Sequence, residues 1–118
     1  MKVTIPESPP FKDQMCQLGN EHWSVARLAT LTADFTVLEI PLAAMTLANT
    51  QYTECMRGMV MHMKAVLDAD MSKPIILDKD GHIMDGRHRL MHCLLNGQET
   101  IKAVRFEVNP SPCRIDDE

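Results

Sequence analysis

Residues 74–106, "PIILDKDGHIMDGRHRLMHCLLNGQETIKAVRF", contain the pattern that decides the fold of this 118-residue chain. The first half of the stretch has two short apolar runs with the turn pair Asp80-Gly81 between them. Apolar runs flanking such a pair are typical of two strands joined by a tight turn. We therefore predict two short strands, the first of which begins at Pro74.

The second half of the stretch predicts a helix followed by a strand. We expect the helix from about Gly86 to Asn96, because Gly97 readily adopts the left-handed conformation that ends helices. "TIKAVRF", residues 100–106, predicts a closing strand. Successive side chains of a strand point to opposite faces, which separates Ile101 and Ala103 from Val104 and Phe106.

Upstream of this stretch, the sequence predicts a helix and a strand. Asn20 is a residue type that caps helices, so we expect a helix from Glu21 to Asp34, with Trp23 anchoring it on the domain. Apolar residues at helical spacing support this helix, namely Val25, Leu28, Leu31 and Phe35. "TVLEIPL", residues 36–42, has the composition of a strand, and Pro41 suits its end or an edge position.

The strongest helical pattern in the chain lies between Thr53 and Asp70. One stripe of this helix is apolar and consists of Met56, Met59, Val60, Met63, Val66 and Leu67. We predict that the stripe packs into the core, where methionine fills irregular gaps; the alternative is an exposed groove for a peptide. His62 lies on the polar flank, and we expect it to be solvated.

This order of elements indicates an α+β fold with a small mixed sheet and helices packed on it. The length suits a single domain, residues 1–118. Prolines punctuate both ends of the chain, so we expect residues 1–12 to form an extended arm and residues 107–118 an acidic tail.

Composition and charge limit the classes of function. A net charge of −4 argues against strong non-specific DNA binding, which requires a basic face. Residues 78–106 nevertheless carry five Lys/Arg against four Asp/Glu, which leaves room for a local anion site. No apolar run reaches the roughly 18 residues of a membrane span, and no signal peptide is evident, so we expect a cytoplasmic protein with no membrane partner. The four cysteines form no C-x-x-C pair, which favours free thiols over a zinc site.

The run "DGRHR", Asp85–Arg89, places a glycine and three basic side chains where a strand leads into a helix. The first amides of a helix lack partners, and the helix dipole favours anions there. Gly86 permits a close approach, Arg87 and Arg89 can bind phosphate oxygens in a fork, and His88 can donate as well. Asp85 can cap the helix, orient an arginine or hold a metal ion. These residues predict a phosphate cradle; the alternative is a turn and a cap with two solvated arginines.

A metal site is the weaker interpretation of the histidines nearby. His88 and His92 are four residues apart on one helix face, and His82 could supply a third nitrogen. We favour a phosphate donor at His88 and a surface or partly packed His92, with no metal. Asp78 and Asp80 are expected to be turn residues rather than catalytic carboxylates.

Residues 74–106 as a whole resemble the core of the ParB/sulfiredoxin superfamily, in which a strand pair leads into a glycine-plus-basic motif at a helix start. A closing strand follows there, reached through a phrase such as "G-x-x-T-I-x-A". "LEIPLAAM", residues 38–45, resembles the strand with an "I-P-L" phrase that opens ParB-like domains. The resemblance covers about residues 36–107, and stand-alone domains with a "D-G-x-H-R" motif are the most similar members.

The resemblance implies nucleotide binding at the motif. Members of the superfamily bind cytidine triphosphate in partition proteins, adenosine triphosphate in sulfiredoxins and adenine nucleotides in some kinases. Gly86, His88 and Arg89 are the matching positions, and Arg87 occupies the variable slot. A nucleoside triphosphate with magnesium is the ligand that this implies.

Two departures limit what the resemblance implies. Sulfiredoxins have their catalytic cysteine in the slot of Arg87, whereas Cys93 lies further along the helix, where we expect it to be buried beside Leu90 and Leu94. Sulfiredoxin chemistry is therefore not expected. Partition proteins carry DNA-binding and dimerisation domains after this fold, and the present sequence contains neither, so we do not expect chromosome partitioning.

Three hypotheses of function follow. The first is a stand-alone ParB-like domain that binds a nucleotide or another phosphorylated ligand at Asp85–Arg89. The second is an enzyme of the ParB-like class, a nuclease, kinase or nucleotide hydrolase, with Glu54 or Asp85 as candidate catalytic residues. The third is a non-catalytic interaction or accessory module, and homo-oligomers are compatible with each hypothesis.

Overall fold

The computed structural model describes residues 1–45, 47 and 55–117, and this part of the chain forms two small sheets and three α-helices. The elements are β1 (Met15–Leu18), β2 (Glu21–Ser24), α1 (Val25–Leu31), β3 (Leu38–Pro41), α2 (Met56–Leu67), β4 (Ile75–Leu77), β5 (Ile83–Asp85), α3 (Arg87–Leu95), β6 (Thr100–Arg105) and β7 (Arg114–Ile115). Single turns of 3-10 helix occupy Phe11–Asp13 and Leu42–Ala44. The predicted α+β fold class is confirmed. Within the described residues, no helix has the length and apolar character to span a membrane.

The four-stranded sheet contains the strands that the sequence predicts between residues 36 and 106. Its order is β3-β6-β4-β5, with β6 parallel to β4 and the other neighbours antiparallel. All three residues of β4 are buried, as expected for an interior strand. β3 lies at an edge of the sheet, the position in which a proline such as Pro41 is tolerated.

Two apolar clusters form the core, and β6 contributes to both of them. One cluster includes Trp23, Leu28, Val104 and Phe106. The other includes Ile75, Leu90, Cys93, Ile101 and Ala103. The predicted alternation of β6 is therefore confirmed. Leu94, expected to pack beside Leu90, is instead exposed.

The N-terminal region differs from the prediction of a helix from Glu21 to Asp34. Residues 21–24 form β2, which pairs with β1 around a turn in which Gly19 has a positive φ of 62°. Asn20 therefore lies in a β-turn rather than at a helix cap. The helix begins only at Val25, where the hydroxyl of Ser24 accepts a hydrogen bond from the amide of Arg27.

The predicted tail, residues 107–118, supplies the third strand of this second sheet. β7 pairs with β2 antiparallel, and the buried indole of Trp23 donates to the carbonyl of Pro110 at 2.9 Å. His22 Nε2 lies 2.7 Å from a carboxylate oxygen of Asp116. Trp23 is thus an anchor, as expected, but it lies on a strand and holds the C-terminal segment.

Helix α2 corrects the prediction for the methionines. Gly58 and Val66 are its buried residues, so the helix contacts the body through the face that carries them. The larger apolar side chains are exposed, and we call them the methionine face: Met56, Met59, Val60, Met63 and Leu67. Hydrophobic spacing predicted the stripe correctly, but its expected burial is wrong except at Val66.

Candidate functional site

A cavity of about 560 Å³ opens where β5 meets α3, and every residue of Asp85–Arg89 lines it. The opposite wall comes from the N-terminal 3-10 helix and β1, and the end of α2 closes one side. Its volume falls within the roughly 300–1,000 Å³ typical of small-molecule sites. Besides Asp85–Arg89, the wall includes Phe11, Asp13, Cys16, Asp70, Lys73 and Ile83.

Gly86 is fixed by the fold of this junction. Its φ of 106° is in the left-handed region, and a Cβ atom placed on it would lie 2.4 Å from Cγ2 of Ile75. A larger residue would therefore collide with the interior strand β4. The glycine that the sequence suggests for anion approach is already required for the close packing of α3 on β4.

Asp85, at the end of β5, and Arg89, in the first turn of α3, form an ion pair. The guanidinium donates to a carboxylate oxygen of Asp85 at 2.7 Å, and both side chains are largely buried. Gly86, not Asp85, occupies the cap position of α3. Of the three roles predicted for Asp85, orienting an arginine is the one for which the structure provides a contact.

Two further positively charged side chains, those of Arg87 and Lys73, line the cavity. Arg87 is exposed and lines the cavity from the first turn of α3. Across from it, the ammonium of Lys73 lies 5.2 Å from the ring centre of Phe11, a distance at which a cation and an aromatic ring attract. Sequence reasoning missed both Lys73 and Phe11, because nothing in the local sequence connects the N-terminal arm with the end of α2.

His88 contacts a second histidine rather than solvent alone. Its Nε2 lies 3.1 Å from Nδ1 of His62, so the expectation that His62 is simply solvated is wrong. Burial, together with the charges of His62 and Arg87, lowers the pKa of His88 below its ordinary value. His88 is therefore neutral near pH 7 in the unliganded protein and donates from a single ring nitrogen.

The structure does not gather His82, His88 and His92 around one point. His92 Nδ1 lies 2.7 Å from the carbonyl oxygen of Val66, and His82 pairs with Asp78. Among the described residues, the one group with spacing suited to a metal ion is Asp78, Asp80 and His82.

The Asp78 carboxylate in that group is committed to the β4–β5 turn. It accepts hydrogen bonds from the backbone amides of Asp80 and His82. Burial alone would raise the pKa of Asp78, but hydrogen bonds from His82 and Asp80 hold it below its ordinary value. The prediction that Asp78 is a turn residue is confirmed.

The last residues with a predicted role are the cysteines and Glu54. All four cysteines are free thiols, and Cys93 is buried, with a pKa that burial raises. Burial also raises the pKa of Cys16, in the cavity wall, to about 11. Both thiols are therefore protonated and poorly nucleophilic at pH 7. Glu54 lies outside the described residues.

The charge of the cavity is balanced rather than strongly positive. Arg87, Arg89 and Lys73 face three carboxylates, those of Asp13, Asp70 and Asp85. The pair with Asp85 offsets the charge of Arg89, whereas Arg87 is exposed to a ligand. An anion would consequently meet most of its positive charge at Arg87 and Lys73.

Comparisons with known protein families, with curated proteins and with solved structures find no match for this chain.

Proposed function

We propose that the cavity binds a nucleotide or another phosphorylated small molecule, with a phosphate at the N-terminus of α3. The observation that carries the proposal is the convergence of the first turn of α3, Arg87 and Lys73 on one cavity. The first amides of a helix point outward without acceptors inside the helix, and its dipole adds partial positive charge. The resemblance to ParB-like domains supports a phosphate at the same helix start, where Gly86, His88 and Arg89 are the matching positions, but it gives no part to Lys73 and leaves Arg87 in a variable slot.

Each residue of the motif has a distinct part in this proposal. Arg87 supplies the charge-assisted hydrogen bonds to phosphate oxygens, and His88 donates from its ring. Arg89 neutralises Asp85, whose carboxylate would otherwise repel the ligand. Gly86 keeps the amides of the first turn close to β4 and open to the cavity.

The opposite wall suits the remainder of a nucleotide. Phe11 is exposed and lines the cavity, so its ring offers a face on which a nucleobase can stack. Lys73, held near that ring, lies where it can approach the phosphates. A phosphorylated ligand without an aromatic group would use the Arg87 side of the cavity alone.

Magnesium and turnover belong to the same proposal. The carboxylate of Asp70 or Asp85 would hold the ion, which would neutralise part of the phosphate charge. Hydrolysis or phosphoryl transfer would make the protein an enzyme of the ParB-like class. Binding without turnover would make it an accessory or regulatory module.

A thermal-shift screen with inorganic phosphate, nucleoside diphosphates and nucleoside triphosphates, each with and without Mg²⁺, tests the proposal. Calorimetry on the tightest ligand then compares wild type with Arg87→Ala. A charge-assisted hydrogen bond contributes roughly 1.5–3 kcal/mol, so this substitution should weaken binding about 10- to 150-fold.

Lys102→Ala is the matched control, because it removes one exposed charge from β6 and does not line the cavity. It should leave the affinity unchanged. Absence of binding by every ligand in the screen, or equal affinities of wild type and Arg87→Ala, would show that "DGRHR" is only a turn and a cap. Release of phosphate during the same incubations would assign turnover.

A further inference from the structure

The methionine face of α2 is an exposed row of large apolar side chains on the described surface. Met56 is 86% exposed, and Met63 and Leu67 are each more than 60% exposed. With 3.6 residues per turn, residues 56, 59, 60, 63 and 67 fall within about 100° of the helix circumference. They therefore form one continuous stripe along the whole of α2.

The neighbouring helix α3 carries another exposed apolar side chain. His88 and His92 on α3 contact α2, and Leu95 lies on the same face of α3 by helical spacing. Leu95 is 63% exposed. Monomeric proteins rarely expose contiguous apolar patches of more than a few hundred Å², and larger patches mark interaction surfaces.

The spacing of the stripe fits a second helix of the same kind. Met56 and Met63 are seven residues apart, as are Val60 and Leu67. Met59 lies three residues after Met56 and four before Met63, which is the alternating spacing of a coiled-coil seam. A seam of this type is self-complementary when two copies meet about a two-fold axis. A second copy of this chain is therefore a suitable occupant.

Charges on one flank of the stripe favour an antiparallel pair. Arg57 and Asp68 are exposed on the same flank, eleven residues apart, which is about 16 Å along the helix axis. They are too far apart to pair within one chain. When two α2 helices lie antiparallel about an axis beside Met63, Arg57 of each copy lies opposite Asp68 of the other. In a parallel pair, this flank would meet the opposite flank, which carries His62 and Val66.

Lys64 is the third charge on this flank, and it lies near the two-fold axis. It lines a groove together with Glu7 of the N-terminal arm and with Asp68, so two carboxylates of its own chain border the same groove. Their negative charge would reduce the repulsion between the two Lys64 side chains that meet near the axis.

We propose that the protein forms a symmetric homodimer through antiparallel packing of α2, with the methionine face as its apolar seam and two Arg57–Asp68 pairs at its ends. The proposal is independent of ligand binding in the cavity.

Light scattering coupled to size-exclusion chromatography over a hundredfold range of concentration tests the proposal. Wild type should be a dimer, and Met63→Glu should raise the dimer dissociation constant at least about 100-fold, because the charge is buried twice in a symmetric seam. Val108→Glu, a change at an exposed apolar residue outside α2, is the matched control and should remain dimeric. Circular dichroism should show unchanged folding of both variants, since both side chains are exposed in the monomer.

Cross-linking tests the antiparallel register. In a background with the exposed cysteines replaced, Cys55→Ser and Cys113→Ser, we expect Met63→Cys to form an intermolecular disulfide. Met56→Cys should not do so, because the two copies of residue 56 would lie about 20 Å apart along the axis, and a disulfide requires Cα atoms within about 7 Å.

Charge reversal completes the test. Arg57→Glu and Asp68→Arg should each weaken the dimer several-fold, and the double variant should recover most of the loss, which pairing within one chain cannot explain. A monomeric wild type at every concentration would overturn the proposal. So would a dimer that Met63→Glu leaves intact, or a disulfide at residue 56 in place of residue 63.

Discussion

Two regions of the molecule each depend on an acid–base pair, and the pairs differ in how the chain brings them together. At the β5–α3 junction, Asp85 and Arg89 are four residues apart and largely buried. At the C-terminal strand, His22 and Asp116 are 94 residues apart, and Asp116 is partly open to solvent. The first pair joins residues that are close in the sequence, whereas the second requires the two ends of the chain to meet.

The two regions also differ in whether their contacts depend on one another. The junction is rigid because each part constrains another: the close contact of Gly86 with Ile75 fixes the start of α3, and the ion pair fixes its first turn. The C-terminal segment is held by separate contacts, among them the bond from Trp23 to Pro110. Loss of one junction contact should therefore affect the whole domain, and loss of one C-terminal contact should act locally.

The largest effect should come from Gly86→Ala. The substitution forces an L side chain into a left-handed conformation and places its Cβ 2.4 Å from Ile75. Adding the two costs gives a loss of about 2–5 kcal/mol in the free energy of unfolding, measured by urea denaturation.

Gly97→Ala is the control, because Gly97 also has a positive φ but has no atom within 4 Å of a Cβ placed on it. It should cost only about 1–2 kcal/mol. Equal losses at the two positions would mean that the contact with β4 is not a constraint.

Arg89→Ala should have the next largest effect. It leaves the carboxylate of Asp85, 19% exposed, without its partner, and removing one member of a buried pair costs about 3–5 kcal/mol. Partial solvent access reduces the expected loss to about 2–3 kcal/mol. Asp85→Asn with Arg89→Gln should recover part of it, since the double variant leaves no unpaired charge.

The matching change at the C-terminal segment is Asp116→Ala, which should lower the free energy of unfolding less than Arg89→Ala does. Hydrogen exchange should locate its effect in β2 and β7 rather than in the four-stranded sheet. A larger global loss for Asp116→Ala would reverse the assignment of the two regions.

The two regions also differ in how far the sequence predicts them. The junction was predicted because its signals are local: the turn pair Asp80-Gly81, the glycine after α3 and the alternation in residues 100–106 all lie within one stretch. The pairing of Asp85 with an arginine is local as well, because Asp85 ends β5 only four residues before Arg89.

The second sheet could not be predicted in the same way. Pairing of β2 with β7 joins residues about ninety positions apart, and a two-residue strand has no periodicity of its own. The burial of the methionine face was predicted wrongly for another reason. Helical spacing shows that an apolar stripe exists, but not which side of the helix packs against the rest of the protein. The contact of His62 with His88 depends on that same orientation.

The smallest effect expected is a difference in the pH at which the two regions lose stability. The pKa of His88 in the folded protein is below its ordinary value of 6.5, because burial disfavours the imidazolium. The unfolded chain therefore binds more protons than the folded chain as the pH falls below 6.5, so the free energy of unfolding decreases there. At the C-terminal segment, the hydrogen bond with His22 lowers the pKa of Asp116 below its ordinary value of 3.8. The contribution of Asp116 to stability is therefore complete above pH 3.8 and is lost only as the pH falls through the lowered value.

Urea denaturation at intervals from pH 8 to pH 5 measures this difference. The free energy of unfolding of wild type should decline over this range, and His88→Gln should reduce the decline, whereas Asp116→Asn should not. An unchanged decline in His88→Gln would show that His88 does not govern the acid sensitivity of the junction.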